Sequence, residues 1–162
     1  MPSKLNPPFW SAVALGTMAG MRATAAPIAI NELLNRYPNN LHSPYFNWLA
    51  SKKTGILFKI MGMGELIGDK LPGTPARIGP VGLIARCLSG GLAGGAIYEA
   101  AGYNALLGAF IGSAATSCST FACYFGRKKT GAATGISDPF IGGAEDLLAI
   151  GTGIALISAP RT

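Results

Sequence analysis

The chain has 162 residues, of which 12% are charged and 23 are glycine, and its mean hydropathy is +0.38. A soluble domain carries about 25% charged residues and about 7% glycine, so this composition argues against a soluble protein and predicts a small all-α membrane bundle. The net charge of +6 comes from basic residues scattered between apolar segments. That scatter argues against nucleic acid as a partner and favours membrane lipid headgroups.

The first apolar segment covers residues 9–30. Lys4, the apolar run and the small residues 23–25 imitate a signal peptide with its cleavage site. Arg22 directly before the small residues is atypical of such a site, so we expect a retained first span.

The second apolar segment, residues 54–71, is marginal as a span. It is 18 residues long and contains four charged residues, so it is either a tilted crossing protected by its neighbours or an incomplete one. Residues 44–53, just before it, combine aromatic side chains with two lysines. This composition is typical of a short helix lying at the headgroup level.

Three more apolar segments follow at residues 80–98, 104–126 and 139–159. The middle one has 23 residues without a charge, enough to cross a hydrocarbon core of about 30 Å at 1.5 Å per residue. The proline-rich link before residue 80 predicts a tight turn between helices. The sequence therefore predicts a polytopic transmembrane bundle of four to five spans in one domain, residues 1–162, with a slight excess of basic residues favouring a cytoplasmic N-terminus.

Small residues recur every fourth position in the third and fourth segments. Such stripes let helix backbones approach closely in lipid, where association has no hydrophobic drive. They either only hold the bundle together or also form contacts between subunits. The predicted helix-packing glycines are Gly82, Gly90 and Gly94 in the third segment and Gly108 and Gly112 in the fourth.

Charged side chains inside the apolar segments are the candidate functional residues. In a five-span arrangement Glu65, Arg86 and Glu145 each lie six residues from the same membrane face, which is about 9 Å. Arg22 is expected about 20 Å from that face, as a deeper point on the same path through the membrane. The full set of candidate substrate- or ion-binding residues is Arg22, Glu65, Asp69, Lys70, Arg77, Arg86, Glu145 and Asp146.

Two interpretations of this charged layer are open. It is either a neutralised ion-pair network that fixes helix register or a site for a proton, a cation or an anionic group. The layer contains one deep arginine, Arg86, and four carboxylates, those of Glu65, Asp69, Glu145 and Asp146. This excess favours the second interpretation, because at least one carboxylate then needs a proton or a cation. No ligand motif defines a cofactor, a pigment or a quinone.

Several blocks of this sequence resemble an uncharacterised family of small glycine-rich bacterial membrane proteins, a domain of unknown function. The blocks are Gly20-Met-Arg22, residues 65–77 with the pattern Asp-Lys-Leu-Pro-x-x-Pro-x-Arg, residues 80–95 and Gly143-Ala-Glu-Asp146. The likeness spans most of the chain outside the aromatic residues 45–48. The resemblance implies an integral protein of the bacterial inner membrane and supplies no substrate or mechanism.

The leading functional hypothesis is transport or permeation of a small ion, solute or lipid headgroup by a homo-oligomer. The rival hypothesis is a non-catalytic subunit of a larger membrane complex. Enzymatic motifs such as G-x-S-x-G, H-E-x-x-H and the P-loop are missing from the sequence. One enzymatic alternative remains, in which the carboxylates hold Mg²⁺ against a lipid phosphate and Arg77 and Arg86 clamp it.

Overall fold

The computed structural model describes residues 8–36, 44–68, 79–134 and 138–158, and within these ranges the chain forms helices and no strand. The predicted all-α class is confirmed. The elements are α1 (Pro8–Met21), α2 (Ala25–Arg36), α3 (Pro44–Asn47), a 3-10 turn (Trp48–Ala50), α4 (Lys52–Gly68), α5 (Pro80–Ala100), α6 (Ala105–Thr134) and α7 (Asp138–Ser158).

Two of these helices are long and apolar enough to cross a membrane, namely α5 and the part Ala105–Thr130 of α6. Large apolar side chains such as Met63, Leu106 and Leu147 lie exposed on the outside of the bundle, whereas Arg86 is buried. Large apolar side chains on the outer surface are expected where lipid replaces water around the protein. The arrangement with five spans stays a prediction.

The centre of the fold is a tight packing of α1, α5 and α6. A side chain at Gly94 would overlap the main-chain oxygen of Gly108, and one at Gly112 would overlap that of Gly90. These four predicted packing glycines therefore lie at the contact between α5 and α6 within one chain, rather than at a contact with another subunit. Gly82 is half-buried near the start of α5.

Helix α1 packs on the same region of α6. A side chain at Gly16 would overlap the main chain of Gly112. Thr116 Oγ1 donates to the Gly16 main-chain oxygen at 2.9 Å, and Ser119 Oγ donates to that of Thr17 at 2.8 Å. Close backbone approach thus comes with hydrogen bonds between helices, as is typical where lipid surrounds a bundle.

The prediction of one continuous helix over residues 9–30 is wrong, because the chain breaks at residues 22–24. Pro27 has no N–H to donate to the Ala23 carbonyl, and its ring would clash with that carbonyl in a straight helix. The Ala25 N–H donates instead to the Arg22 carbonyl at 3.1 Å. Helix α1 therefore ends at Met21 and α2 begins at Ala25.

The two short helices form a hairpin, since α1 and α2 run in opposite directions. Gly16 and Gly20 lie against Gly112 and Thr116 respectively, so α1 runs parallel to α6. Helix α5 crosses α6 with Gly90 beside Gly112 and Gly94 beside Gly108, so α5 runs antiparallel to both.

Contacts of α2 fix the opposite direction. Thr24 lies beside Gly62, and Asn31 lies beside Gly55, so α2 runs antiparallel to α4. Glu65, near the end of α4, lies beside Arg86, near the start of α5. Phe46, which precedes α4 in the chain, lies against Gly95 in the second half of α5. Helix α4 is therefore antiparallel to α5, and α2 is parallel to α5.

The hairpin changes the predicted topology. Its 14-residue and 12-residue arms are about 21 Å and 18 Å long at 1.5 Å per residue. Because α2 returns to the end of the bundle where α1 begins, the charge count made for five crossings no longer assigns the side of the N-terminus.

The aromatic segment between α2 and α4 is tied to the bundle. Instead of one helix over residues 44–53, it forms the short α3 and the 3-10 turn, and Leu49 is fully buried. The buried Asn31 side chain donates through Nδ2 to the main-chain oxygens of Leu49 and Ser51. These bonds anchor the start of α4 to α2.

Replacing Gly94 with alanine tests the close packing of α5 and α6. The added Cβ would overlap backbone rather than a flexible side chain, so we expect Gly94→Ala to lower the free energy of unfolding by about 1–3 kcal/mol. Thermal unfolding in detergent, followed with a cysteine-reactive dye, measures this change. Gly151→Ala in α7 is the matched control, because no atom lies within 4 Å of its Cβ position. Equal melting temperatures for the two variants would contradict the packing.

Candidate functional site

The tip of the hairpin, residues 22–24, leaves main-chain groups without their usual helical partners. Helix ends expose carbonyls at the C-terminus of one helix and N–H groups at the N-terminus of the next. Away from water each of these groups needs a partner from elsewhere in the protein. Three other helices, α4, α5 and α7, contribute charged side chains to this point.

Arg86 from α5 binds the end of α1. Its Nη1 donates to the main-chain oxygens of Gly20 at 2.8 Å and Met21 at 3.1 Å. The residue is only 6% exposed. A cation at the C-terminus of a helix also complements the negative end of the helix dipole.

Glu65 from α4 binds the start of α2. Its Oε1 accepts from the Ala23 N–H at 3.0 Å, while Oε2 accepts from the Thr24 N–H at 3.1 Å and from Thr24 Oγ1 at 2.6 Å. The carboxylate thus acts as an N-cap supplied by another helix. Glu65 Oε1 and Arg86 Nη2 are 3.9 Å apart, so the groups that hold the two helix ends also attract each other.

Arg22, at the tip itself, pairs with Asp146 from α7. Arg22 Nε and Nη2 donate to Asp146 Oδ1 and Oδ2 at 2.5 and 2.7 Å. Their side chains are 12% and 23% exposed. Paired N–H donors on a carboxylate form a strong and geometrically specific contact.

Ser89 completes the tip. Its Oγ donates to the Ala23 main-chain oxygen, the same oxygen that Pro27 leaves without a helical donor. Among the described residues every buried side-chain nitrogen and oxygen has a hydrogen-bond partner. Side chains of α4 and α5 therefore bind the main-chain oxygens of Gly20, Met21 and Ala23 and the N–H groups of Ala23 and Thr24.

We call Arg22, Glu65, Arg86 and Asp146 the tip cluster. It contains two cations and two carboxylates, so the predicted excess of carboxylates does not exist among the side chains that the structure describes. Glu145 lies on α7 beside Asp146, and its side chain is outside the described part. The candidates Asp69, Lys70 and Arg77 also lie outside the described residues.

Arg22 belongs to the same layer as the other three charges. The straight-helix estimate placed it deeper in the membrane. Its carboxylate partner Asp146 and the contacts of Arg86 with residues 20 and 21 bring it to the level of Glu65. The estimate failed because it assumed that the first segment crosses the membrane in one direction.

A cavity of about 480 Å³ lies beside the tip cluster, between α4 and α7. Arg22, Thr24, Lys59 and Asp146 are its polar lining residues, and its other walls are mainly apolar. In the part of the chain that the structure describes, α4 and α7 share at most a marginal contact. The cavity therefore opens sideways between these two helices.

Sequence reasoning missed Thr24, Ser89 and the main chain of residues 20–24 as parts of the site. A signal for the break was present, because Pro27 lies within an apolar segment that also contains Arg22. Nothing in the sequence points to Ser89 as the donor that replaces the missing bond. Within the described ranges no three histidine, cysteine, aspartate or glutamate side chains come together as a metal site.

Comparison with known proteins gives one family. The family model DUF4126, a domain of unknown function, matches residues 10–162. Searches of curated proteins and of solved structures give no significant match.

A double-mutant cycle on Arg22 and Asp146 tests whether the pair is energetically coupled. Removing one partner leaves the other without its ionic hydrogen bonds, so we expect Arg22→Gln and Asp146→Asn each to destabilise by about 2–3 kcal/mol. The double variant should lose less than the sum, with a coupling of about 1–2 kcal/mol. Unfolding in mixed micelles with increasing denaturing detergent measures all four states.

The exposed pair Glu32 and Arg36 is the matched control for this cycle. Its closest atoms are 3.6 Å apart, and its side chains are 38% and 54% exposed. Neutral variants of such a surface pair should couple by less than about 0.5 kcal/mol. Strict additivity of the Arg22 and Asp146 variants would show that the tip pair contributes no more than a surface pair.

Proposed function

Because the chain belongs to the DUF4126 family, a domain of unknown function, its role has to be argued from its own residues, and we propose that it is a small membrane transport protein whose substrate passes the tip cluster. The cargo class is a small ion, a polar solute or a lipid headgroup. We place it in a bacterial inner membrane, where α1 and α2 form a re-entrant hairpin and α4 to α7 cross.

The observation that carries this proposal is a hairpin tip inside the bundle whose two helix ends are held by charged side chains. Irregular backbone at membrane depth is tolerated where it is buried in protein or lines a cavity. In several transporter folds such half-helix ends bind the substrate and its coupling ion. The resemblance to those folds is an analogy of local geometry and extends no further.

The protein's own charges occupy the positions that ions would take. Arg86 lies as a cation on the carbonyls that end α1, and Glu65 lies as an anion on the N–H groups that begin α2. In the proposed cycle the arriving anionic group replaces Glu65 at the start of α2, and a cation or proton compensates the released carboxylate.

The division of contacts supports a moving part. Helices α1, α5 and α6 share close contacts in which glycines bring backbone against backbone. Helix α4 packs on α2 and on the 3-10 turn before it, and α7 packs mainly on α1 and α2. We propose that α4 and α7 shift against the rigid unit and open the tip to either side in turn.

The rival function is that of an accessory subunit whose ion pairs fix helix register. The two cations and two carboxylates of the tip cluster, and the hydrogen-bond partners of all buried side-chain nitrogens and oxygens in the described ranges, favour this alternative. Against it, the glycine stripes pack within the chain and are not available to a partner. Native mass spectrometry after gentle extraction separates the two, because fixed foreign subunits would support the accessory role.

Reconstitution into vesicles tests transport directly. We expect the protein to raise the flux of at least one probe among protons, potassium, chloride and a fluorescent phospholipid. Glu65→Gln and Arg86→Gln should each reduce that flux at least tenfold, because each removes a charge that holds a helix end. Gel filtration and thermal unfolding show that the variants stay assembled.

Lys53→Gln, on the exposed side of α4, is the matched control and should leave the flux unchanged. Flux at the rate of empty vesicles for every probe, or native flux in both tip variants, would overturn the proposal.

A further inference from the structure

We propose that the cavity between α4 and α7 binds an amphiphile with an anionic head group and a hydrocarbon chain. The head group would lie at the Arg22–Asp146 end and the chain along α7. This inference deepens the proposed function by naming its substrate class, and it rests on that function for the claim that the bound molecule moves.

The charges on the cavity wall favour an anion. Arg22 and Asp146 pair with each other on this wall, and Lys59 adds a positive charge among the described lining residues. Lys59 is exposed, and within the described ranges no ion-pair partner contacts it. A carboxylate or phosphate head group would pair with the Lys59 ammonium, and the Thr24 hydroxyl lies on the same wall.

Lys59 lies within reach of the polar end. It shares a face of α4 with Gly62 and Met63, which follow it by three and four residues. Gly62 lies against Thr24 and Ile28, so Lys59 is one helical turn from the level of the hairpin tip. The flexible four-carbon stem of a lysine spans such a distance while its methylenes contact apolar walls.

The opposite end of the cavity suits a hydrocarbon chain. Asp146 and Ile157 both line it, and eleven residues of helix separate them by about 16 Å. Ile28, Ile150 and Ile154 line the length between them. A volume of about 480 Å³ lies within the range of about 300–1,000 Å³ that small-molecule sites occupy.

Specific binding has to be separated from the ordinary contact of lipid with an exposed apolar face. We would embed the protein in nanodiscs of zwitterionic phospholipid and label it with a long-chain fatty acid that carries a photoreactive diazirine in its chain. Mass spectrometry then locates the label. We expect it on the α7 peptide that contains Ile150 and Ile154, above the background on the exposed Ile84 of α5.

Competition identifies the head group. Oleate, as a carboxylate, and a lysophosphatidate, as a phosphate, should each reduce α7 labelling at least fivefold, and the stronger competitor identifies the preferred head group. A quaternary ammonium amphiphile of equal chain length should leave the labelling unchanged. Inorganic phosphate, which has no chain, should also have no effect.

Two variants with matched controls test the two ends of the cavity. Lys59→Gln should weaken oleate competition at least threefold, and Lys53→Gln on the same helix should not. Ile150→Trp should fill the chain-binding part and reduce labelling at least fivefold, and Leu147→Trp, exposed on α7 and outside the cavity lining, should not.

The outcomes separate this inference from the proposed function. Equal labelling of Ile84 on α5 and of α7, or equal competition by the cationic amphiphile, would overturn the anionic amphiphile while leaving vesicle flux of an ion possible. Specific labelling together with no flux of any probe would support the binding site and overturn transport. Variants indistinguishable from their controls would show that the cavity is not the site.

Discussion

Main-chain N–H and C=O groups in apolar surroundings cost several kcal/mol each when they lack a partner. The tip of the α1–α2 hairpin presents such groups inside the bundle, at the level of Glu65 and Arg86. The fold depends on how they are satisfied. Arg86 binds the carbonyls that end α1, Glu65 binds the N–H groups that begin α2, and Ser89 binds the Ala23 oxygen. Each partner comes from α4 or α5, so the hairpin and the helices around it stabilise each other.

The same arrangement accounts for the buried charges. Placing a lone arginine or carboxylate in hydrocarbon costs much free energy. Each charged side chain of the tip cluster, however, contacts an opposite charge, a helix end of opposite polarity, or both. Packing explains why Arg86 lies on a stripe of glycines. Because Gly90 and Gly94 have no side chain, α5 approaches α6 and α1 closely, and the Arg86 guanidinium reaches the Gly20 carbonyl. The contacts of the buried charges therefore depend on the close packing of the helices.

Structural and functional uses of these charges are compatible. In the proposed transport cycle, opening of the tip cluster would expose two helix ends of opposite polarity and a carboxylate able to take a proton. The cavity between α4 and α7 adds an apolar wall directly beside that polar point. A transported amphiphile would use both parts, whereas a small ion would use only the tip.

The sequence by itself determined the helical class, the apolar segments and four glycines of the contact between α5 and α6, because composition and residue spacing record burial and helix faces directly. Of the charged residues that it singled out, Arg22, Glu65, Arg86 and Asp146 meet in the described structure. Pro27 even marks the break. Only the tertiary structure decided that the chain reverses at residues 22–24, that Arg22 joins the layer of Glu65, and that Asp146 is its partner. Helical periodicity indicates which side chains share a face of one helix. It carries no information on the direction of the next helix or on which distant charged residue contacts that face. Those choices follow from satisfying the backbone groups of the tip, a condition that involves four segments far apart in the chain.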